Sequence, residues 1–108
     1  MPLRCHTIAY INTILSKLAE EFGALLLVGE HRYYGESLPF GNESLSADPA
    51  KNGYLTSSQS LADQARLITY IKGTLQGAKN SPVIAFGGSY PGLLSAWSRV
   101  KYPHLFDG

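Results

Sequence analysis

The stretch Gly87-Gly88-Ser89-Tyr90-Pro91-Gly92 joins an apolar segment typical of a β-strand to an apolar segment typical of a helix. Before it, residues 82–86 are short, uncharged and partly β-branched, which is typical of a buried parallel strand. After it, apolar residues recur at helical spacing as far as Pro103, which cannot continue a helix. The pattern predicts a sharp strand-to-helix turn, an elbow, that holds Ser89 in a strained backbone conformation with its hydroxyl exposed. Ser89 is therefore a candidate nucleophile.

Small residues surround Ser89 in this elbow, and we expect Gly87, Gly88 and Gly92 to be there for steric reasons. The usual pattern, G-x-S-x-G, has glycine two residues after the serine, where this chain has Pro91. Proline suits the first position of a helix, because its missing N–H would have no partner there. We therefore predict that the helix begins at Pro91. The alternative is an ordinary turn between a strand and a helix, with no chemical role for Ser89.

The composition indicates one small globular domain. The chain has 108 residues, of which 44% are hydrophobic and 16% charged, and its net charge is +1. This balance gives no electrostatic reason to expect nucleic acid or a membrane as a partner, and the longest apolar run, residues 24–28, is too short to span a bilayer. The single Cys5 excludes an intrachain disulfide, and no metal or other cofactor is predicted.

Helical and strand patterns alternate along the chain. Five apolar residues mark one face of a first helix that Gly23 is placed to end: Ile11, Ile14, Leu15, Leu18 and Phe22. Residues 24–28 read as a buried strand, a long irregular segment follows to about Leu55, and Thr56 to Gln59 fit a capping box that starts a helix. The apolar face of that helix comprises Leu61, Ala65, Ile68, Ile71 and Leu75. The order is helix, strand, loop, helix, strand, elbow, helix, which predicts an α/β fold with a parallel sheet and helices on both faces.

The polar and aromatic loop after the first predicted strand is a second candidate region. Adjacent side chains on an extended segment point to opposite sides, so Glu30 and His31 are not expected to form one acid–base pair. We expect the loop to brace the elbow, with Arg32 bound to backbone carbonyls or clamping a carboxylate through two hydrogen bonds. Contact with a substrate through Tyr33 or Tyr34 is the alternative.

Three further side chains have simple interpretations. Trp97 and Tyr70 fall on helix faces, where packing in the core is the default expectation. Asn42 begins an N-x-S sequon and is a possible glycosylation site if the protein enters the secretory pathway.

Three segments together resemble the S28 serine peptidases, a family of carboxypeptidases and dipeptidyl peptidases: residues 30–41, residues 87–90 and residues 101–105. The resemblance covers nearly everything after about Ile11. It implies a fragment of an α/β-hydrolase fold, a Ser-Asp-His triad and exopeptidase action beside proline, in the lysosome or the secretory route. The expected partners are peptides with proline near a terminus, and the choice between the two exopeptidase types stays open.

Carried onto this sequence, the resemblance makes Ser89 the nucleophile that forms an acyl-enzyme and the backbone N–H of Tyr90 an oxyanion-hole donor. The triad Asp and His follow the serine in this fold, so we expect them beyond Gly108; neither Asp107 nor His104 fits these roles. Residues 1–108 are thus expected to be a partial domain that lacks the cap domain and the C-terminal part and is inactive alone. The competing hypothesis is a non-catalytic remnant or interaction module.

Overall fold

The computed structural model describes residues 14–108 of the chain. These residues fall into two compact units, the first ending at Glu30 and the second running from His31 to Gly108. The first contains helix α1 (Ile14–Glu21). The second contains a 3-10 helix (Gly41–Leu45), a short helix α2 (Pro49–Asn52) and two longer helices, α3 (Ser57–Thr74) and α4 (Ser89–Lys101).

Helix α1 ends as the sequence predicts. Gly23 has a φ of +59°, in the left-handed region that glycine adopts without steric cost. Its N–H donates to the carbonyl of Glu20 at 3.2 Å, and the N–H of Ala24 donates to the carbonyl of Ala19 at 2.7 Å. These two bonds form a Schellman motif, which satisfies carbonyls that the helix leaves unpaired. Ile11, predicted to belong to the same helix face, lies outside the described residues.

Helix α3 supplies much of the small core of the second unit. Thr56 is its N-cap, and the Thr56 hydroxyl accepts a hydrogen bond from the N–H of Gln59 at 3.2 Å. This confirms the threonine half of the predicted capping box, whereas the Thr56 N–H donates to the carbonyl of Tyr54. The predicted apolar face is only partly covered, because Ile68 and Ile71 are half-buried and Leu75 is exposed. The buried apolar residues of the unit are Tyr33, Leu61, Ala65, Leu67 and Phe106.

The predicted parallel sheet with helices on both faces is wrong for the described residues, which contain no β-strand. A strand is stabilised by a ladder of backbone hydrogen bonds to a neighbour, and an apolar run alone does not supply that neighbour. Among the backbone bonds of the described residues, residues 82–86 bond only to the C-terminal residues: the N–H of Ala85 donates to the carbonyl of Gly108, and the carbonyl of Val83 accepts the N–H of Asp107, each at 2.8 Å, and that of Gly108 at 3.4 Å. The described residues therefore do not show an α/β-hydrolase fragment.

The long segment before α3 is more ordered than the sequence suggests. The Ser44 side chain is completely buried in the 3-10 helix, where its hydroxyl accepts the N–H of Phe40 at 2.9 Å. Asp48 caps α2 by accepting the N–H of Ala50 at 2.9 Å, and Lys51 pairs with Glu43. Short polar side chains thus satisfy the backbone of this segment locally.

The predicted burial of two aromatic side chains is wrong. Trp97 is 42% exposed and Tyr70 is 55% exposed, although both lie on the long helices of the second unit. Helical spacing identifies a face, but burial requires an element to pack against that face. No helix among residues 14–108 combines the length and the apolar character needed to cross a membrane.

Candidate active site

Ser89 is the first residue of helix α4 and has a φ of +55°. This left-handed conformation is uncommon for a residue with a Cβ atom, and it confirms the predicted backbone strain. The residue is exposed. The helix begins at Ser89 and not at Pro91, so Pro91 is its third residue. Proline is still tolerated there, because the N–H groups of the first turn have no partner within the helix.

The glycines around Ser89 are not equivalent. A Cβ atom on Gly87 would lie 2.3 Å from both the carbonyl carbon and the oxygen of Pro91, so only glycine fits there. Gly92 is also tight, since a Cβ atom would lie 3.1 Å from the carbonyl oxygen of Gly87. A Cβ atom on Gly88 would meet nothing within 4 Å, so the expected steric requirement is wrong at that position. Gly87 therefore fixes how closely the segment before Ser89 approaches the first turn of α4.

Tyr90 follows Ser89, and its backbone N–H and its side-chain hydroxyl both lie at the site. Its backbone N–H belongs to the first turn of α4, where N–H groups have no partner within the helix. Its side-chain hydroxyl lies 3.0 Å from Nε2 of His31. The Nδ1 atom of that imidazole lies 2.8 Å from the backbone oxygen of Arg32. The loop that begins at His31 therefore contacts the elbow through the Tyr90 side chain.

The Arg32 side chain clamps a carboxylate, which is one of the two arrangements that the sequence leaves open. Its Nε donates to Oδ2 of Asp63 at 2.6 Å, and its Nη2 donates to Oδ1 at 2.7 Å. The two side chains are 15% and 32% exposed, so water screens this pair less than a fully exposed one. The hydrogen bonds to Asp63 raise the pKa of Arg32 above its ordinary value. Arg32 is therefore charged at every physiological pH and ties the loop to helix α3.

The two tyrosines after Arg32 have different environments. Tyr33 has a φ of +70° and is 4% exposed, and its hydroxyl donates to the backbone carbonyl of Lys51. Its N–H also donates to the carbonyl of Ser37 at 2.9 Å. Tyr34 is exposed, with its ring edge-on to His31 at 5.2 Å between centroids. Of the two, Tyr34 is the one accessible from solvent.

The remaining predicted residues lie at the surface. Glu30 is exposed at the end of the first unit, and Asn42 is exposed in the 3-10 helix. His104 is also exposed. Asp107 has a structural contact, because its Oδ2 atom accepts the N–H of Val83 at 2.8 Å.

Ser89 has no acid–base partner among residues 14–108, since no side chain there hydrogen-bonds its hydroxyl. In the same part of the chain, no group of three or more His, Cys, Asp or Glu residues could hold a metal ion. The site therefore consists of a strained serine, the adjacent N–H of Tyr90, and a loop that contacts the Tyr90 side chain.

Comparison with known proteins identifies the family. Residues 6–108 match the family described as serine carboxypeptidase S28. The chain belongs to this family. It is 58% identical over 91 residues to the lysosomal Pro-X carboxypeptidase of Bos taurus and 57% identical over 91 residues to that of Homo sapiens. Over 88 residues it is 46% identical to the thymus-specific serine protease of Mus musculus.

These matches cover most of this chain but little of each relative. They span 84% of this chain for the first two proteins and 82% for the third. The same matches span 18% of the bovine and human proteins and 16% of the mouse protein. The S28 assignment made from the sequence is confirmed, and the chain is a member of a serine peptidase family.

Two contacts of the site were not predicted from the sequence. The acid that pairs with Arg32 is Asp63, 31 residues away, and an acid on a helix is ordinarily expected to be solvated. The hydrogen bond between His31 and Tyr90 joins residues 59 positions apart. Both pairs connect segments far apart in the chain, so no local spacing signals them.

Proposed function

We propose that this chain is the nucleophile-bearing segment of a serine exopeptidase that cleaves peptides next to proline. The observation that carries the proposal is the φ of +55° at Ser89, an exposed serine at the start of helix α4. A serine held in this strained conformation projects its hydroxyl away from the backbone, where a substrate carbonyl can reach it. Membership of the S28 family supports the same chemistry.

In the proposed reaction, Ser89 Oγ attacks the scissile carbonyl while a histidine accepts the hydroxyl proton. The negative charge on the carbonyl oxygen is stabilised by the backbone N–H of Tyr90. The histidine returns its proton to the leaving amine, and water then hydrolyses the acyl-enzyme. We propose that the histidine and its acid partner come from outside residues 1–108, which would leave this segment inactive alone. The lack of any partner for the Ser89 hydroxyl among residues 14–108 supports this.

Carboxypeptidase action is the favoured form of this activity. The family description and the bovine and human relatives all carry that name, and those relatives are called Pro-X carboxypeptidases. We therefore expect the substrate to be a peptide with proline next to its C-terminal residue. The same relatives are called lysosomal, so we propose a lysosomal location, with Asn42 glycosylated on the secretory route.

The test uses the complete protein that carries this chain, as wild type and as Ser89→Ala. Release of the C-terminal residue from a peptide ending in Pro-Phe is followed by mass spectrometry. We expect the wild type to release phenylalanine and Ser89→Ala to release none. Ser81→Ala is the matched control, because this serine is also exposed and its hydroxyl bonds only locally, to the carbonyl of Gly77. Equal turnover by Ser89→Ala would exclude Ser89 as the nucleophile.

Two blocked peptides separate the exopeptidase types. A C-terminally amidated peptide should not be cleaved by a carboxypeptidase, and an N-acetylated one should not be cleaved by a dipeptidyl peptidase. We expect cleavage of the acetylated peptide and not of the amidated one. The reverse result would assign dipeptidyl peptidase action to the same Ser89.

A further inference from the structure

We propose that His31 is a positioning residue for the oxyanion hole, acting through the side chain of Tyr90. The inference rests on the proposed function of Ser89 and extends it to a residue outside the elbow. Its basis is the 3.0 Å hydrogen bond between His31 Nε2 and the Tyr90 hydroxyl. Tyr90 supplies the N–H that follows Ser89, so the orientation of this residue determines where that donor points.

The direction of the hydrogen bonds follows from their partners. The carbonyl oxygen of Arg32 can only accept, so His31 Nδ1, 2.8 Å away, carries the proton. In the neutral imidazole, Nε2 is then an acceptor, and the Tyr90 hydroxyl donates to it. The imidazole is therefore held in one tautomer by the backbone of the next residue and presents a fixed acceptor to Tyr90.

The loop that holds the imidazole is itself fixed. The residue whose carbonyl orients His31 is Arg32, and its guanidinium makes the two-bond clamp to Asp63 on helix α3. Two ring contacts add to this, since the His31 ring lies 5.2 Å from the Tyr34 ring and 5.8 Å from the Tyr90 ring. A linked series of contacts thus runs from α3 through the loop to the second residue of α4.

The hydrogen bond from Tyr90 to His31 matters because the backbone just before Tyr90 is strained and has little side-chain packing. A Cβ atom on Gly88 would meet nothing within 4 Å, so this residue has open space around it, and Ser89 is held at a positive φ. Tyr90 is 42% exposed, so packing alone does not immobilise its side chain. The hydrogen bond to His31 gives the first turn of α4 a side-chain anchor on a separate loop.

The test is a double-mutant cycle in the complete protein with His31→Ala, Tyr90→Phe and both changes together. We expect each single change to lower kcat by about 3- to 10-fold, the scale of one net hydrogen bond. KM should hardly change, because the anchor orients a group that acts in the transition state. The double variant should be no slower than the slower single variant, since both changes remove the same contact.

Conservative substitutions distinguish positioning from general stabilisation. His31→Gln places an amide near the position of Nε2 and should recover most of kcat, whereas His31→Asn places its amide near Nδ1 and should not. This comparison also holds if His31→Ala fails to fold. His104→Ala is the control, since this exposed histidine has its ring against Tyr102, and it should leave kcat unchanged. Melting temperatures of all variants are measured in parallel.

The results with the Ser89 and His31 variants distinguish a failure of the proposed function from a failure of the His31 role. If Ser89→Ala retains activity, the proposed function fails whatever His31 does. If Ser89→Ala is inactive while His31→Ala keeps the wild-type kcat, only the role of His31 fails. Multiplicative losses in the double variant, or equal kcat values for the Gln and Asn variants, would also overturn that role.

Discussion

Replacing Gly87 by alanine tests the geometry of the elbow most sharply. The added Cβ atom would lie 2.3 Å from the carbonyl carbon and oxygen of Pro91 and 2.7 Å from the nitrogen of Gly92. All three are backbone atoms, so no side chain can rotate away. Ordinary carbon contacts lie at about 3.5 Å, so the two segments must separate by roughly 1 Å.

The expected cost has a structural and a catalytic part. Forcing extra volume into a close contact typically costs about 1–3 kcal/mol, and a backbone clash is expected at the upper end of that range. A shift of about 1 Å at a reacting group can lower the rate by about 100-fold. Gly87→Ala should therefore lower the melting temperature and slow the reaction of Ser89 by roughly two orders of magnitude.

The matched control is Gly88→Ala, one residue closer to Ser89. A Cβ atom there meets nothing within 4 Å, and the φ of −120° and ψ of 151° suit any residue. This change should leave stability within about 0.5 kcal/mol or raise it slightly. The assay is calorimetric melting of the complete protein together with the rate of labelling by a fluorophosphonate probe. Similar losses for the two variants, or a wild-type labelling rate for Gly87→Ala, would refute the steric account.

Three other changes have defined consequences. Asp63→Asn should destabilise the protein by about 2 kcal/mol by removing one charge-assisted bond to Arg32, as urea unfolding would measure. The pKa of Arg32 is raised in the folded state, so the stability that its charge contributes is present below the unfolded pKa and is lost only as pH rises through the folded pKa. The destabilisation caused by Asp63→Asn should therefore stay constant from about pH 6 to 9. Thr56→Ala should cost about 1 kcal/mol through loss of the N-cap of α3, measured by melting temperature. Ser44→Ala should cost about 1 kcal/mol in urea unfolding, because the N–H of Phe40 loses its acceptor.

A specific experimental result would contradict each of these three predictions. Asp63→Glu, which keeps the charge, should destabilise less than Asp63→Asn, and the opposite order would argue against the ion pair. An unchanged melting temperature for Thr56→Ala would mean that the cap contributes nothing to α3. Ser44→Thr keeps the hydroxyl but adds a methyl group in a fully buried position, so it should also destabilise; a neutral result would contradict the burial of this side chain.

Features that depend on neighbouring residues could be predicted from the sequence. Gly23 ends helix α1 because only a residue without a Cβ atom adopts its φ easily, and Thr56 starts α3 because its hydroxyl reaches an N–H three residues on. The strain at Ser89 is predicted from the sharp turn that the sequence places between residues 82–86 and the following helix, and the φ of +55° confirms it. The sequence places Pro91 at the first position of the helix, whereas the helix begins at Ser89 and Pro91 is its third residue, still within the first turn.

Features that depend on a distant partner could not be predicted. The apolar runs before the elbow and after α1 have the composition of buried strands, but a strand also needs a neighbour for its backbone groups. The sequence predicts that Arg32 binds either backbone carbonyls or a carboxylate, and nothing local identifies Asp63 as the acid. The sequence predicts that the loop braces the elbow, but it does not identify His31 and Tyr90 as the pair in contact, because that depends on how the loop and helix α4 pack.

Mapping a covalent adduct decides whether Ser89 is the nucleophile. The complete protein is treated with a fluorophosphonate, digested with trypsin and analysed by mass spectrometry. Cleavage after Lys79 and Arg99 releases residues 80–99, which contain Ser81, Ser89, Ser95 and Ser98. We expect one adduct, on Ser89, and none in Ser89→Ala; an adduct on another serine, or labelling that persists in that variant, would show that Ser89 is not the nucleophile.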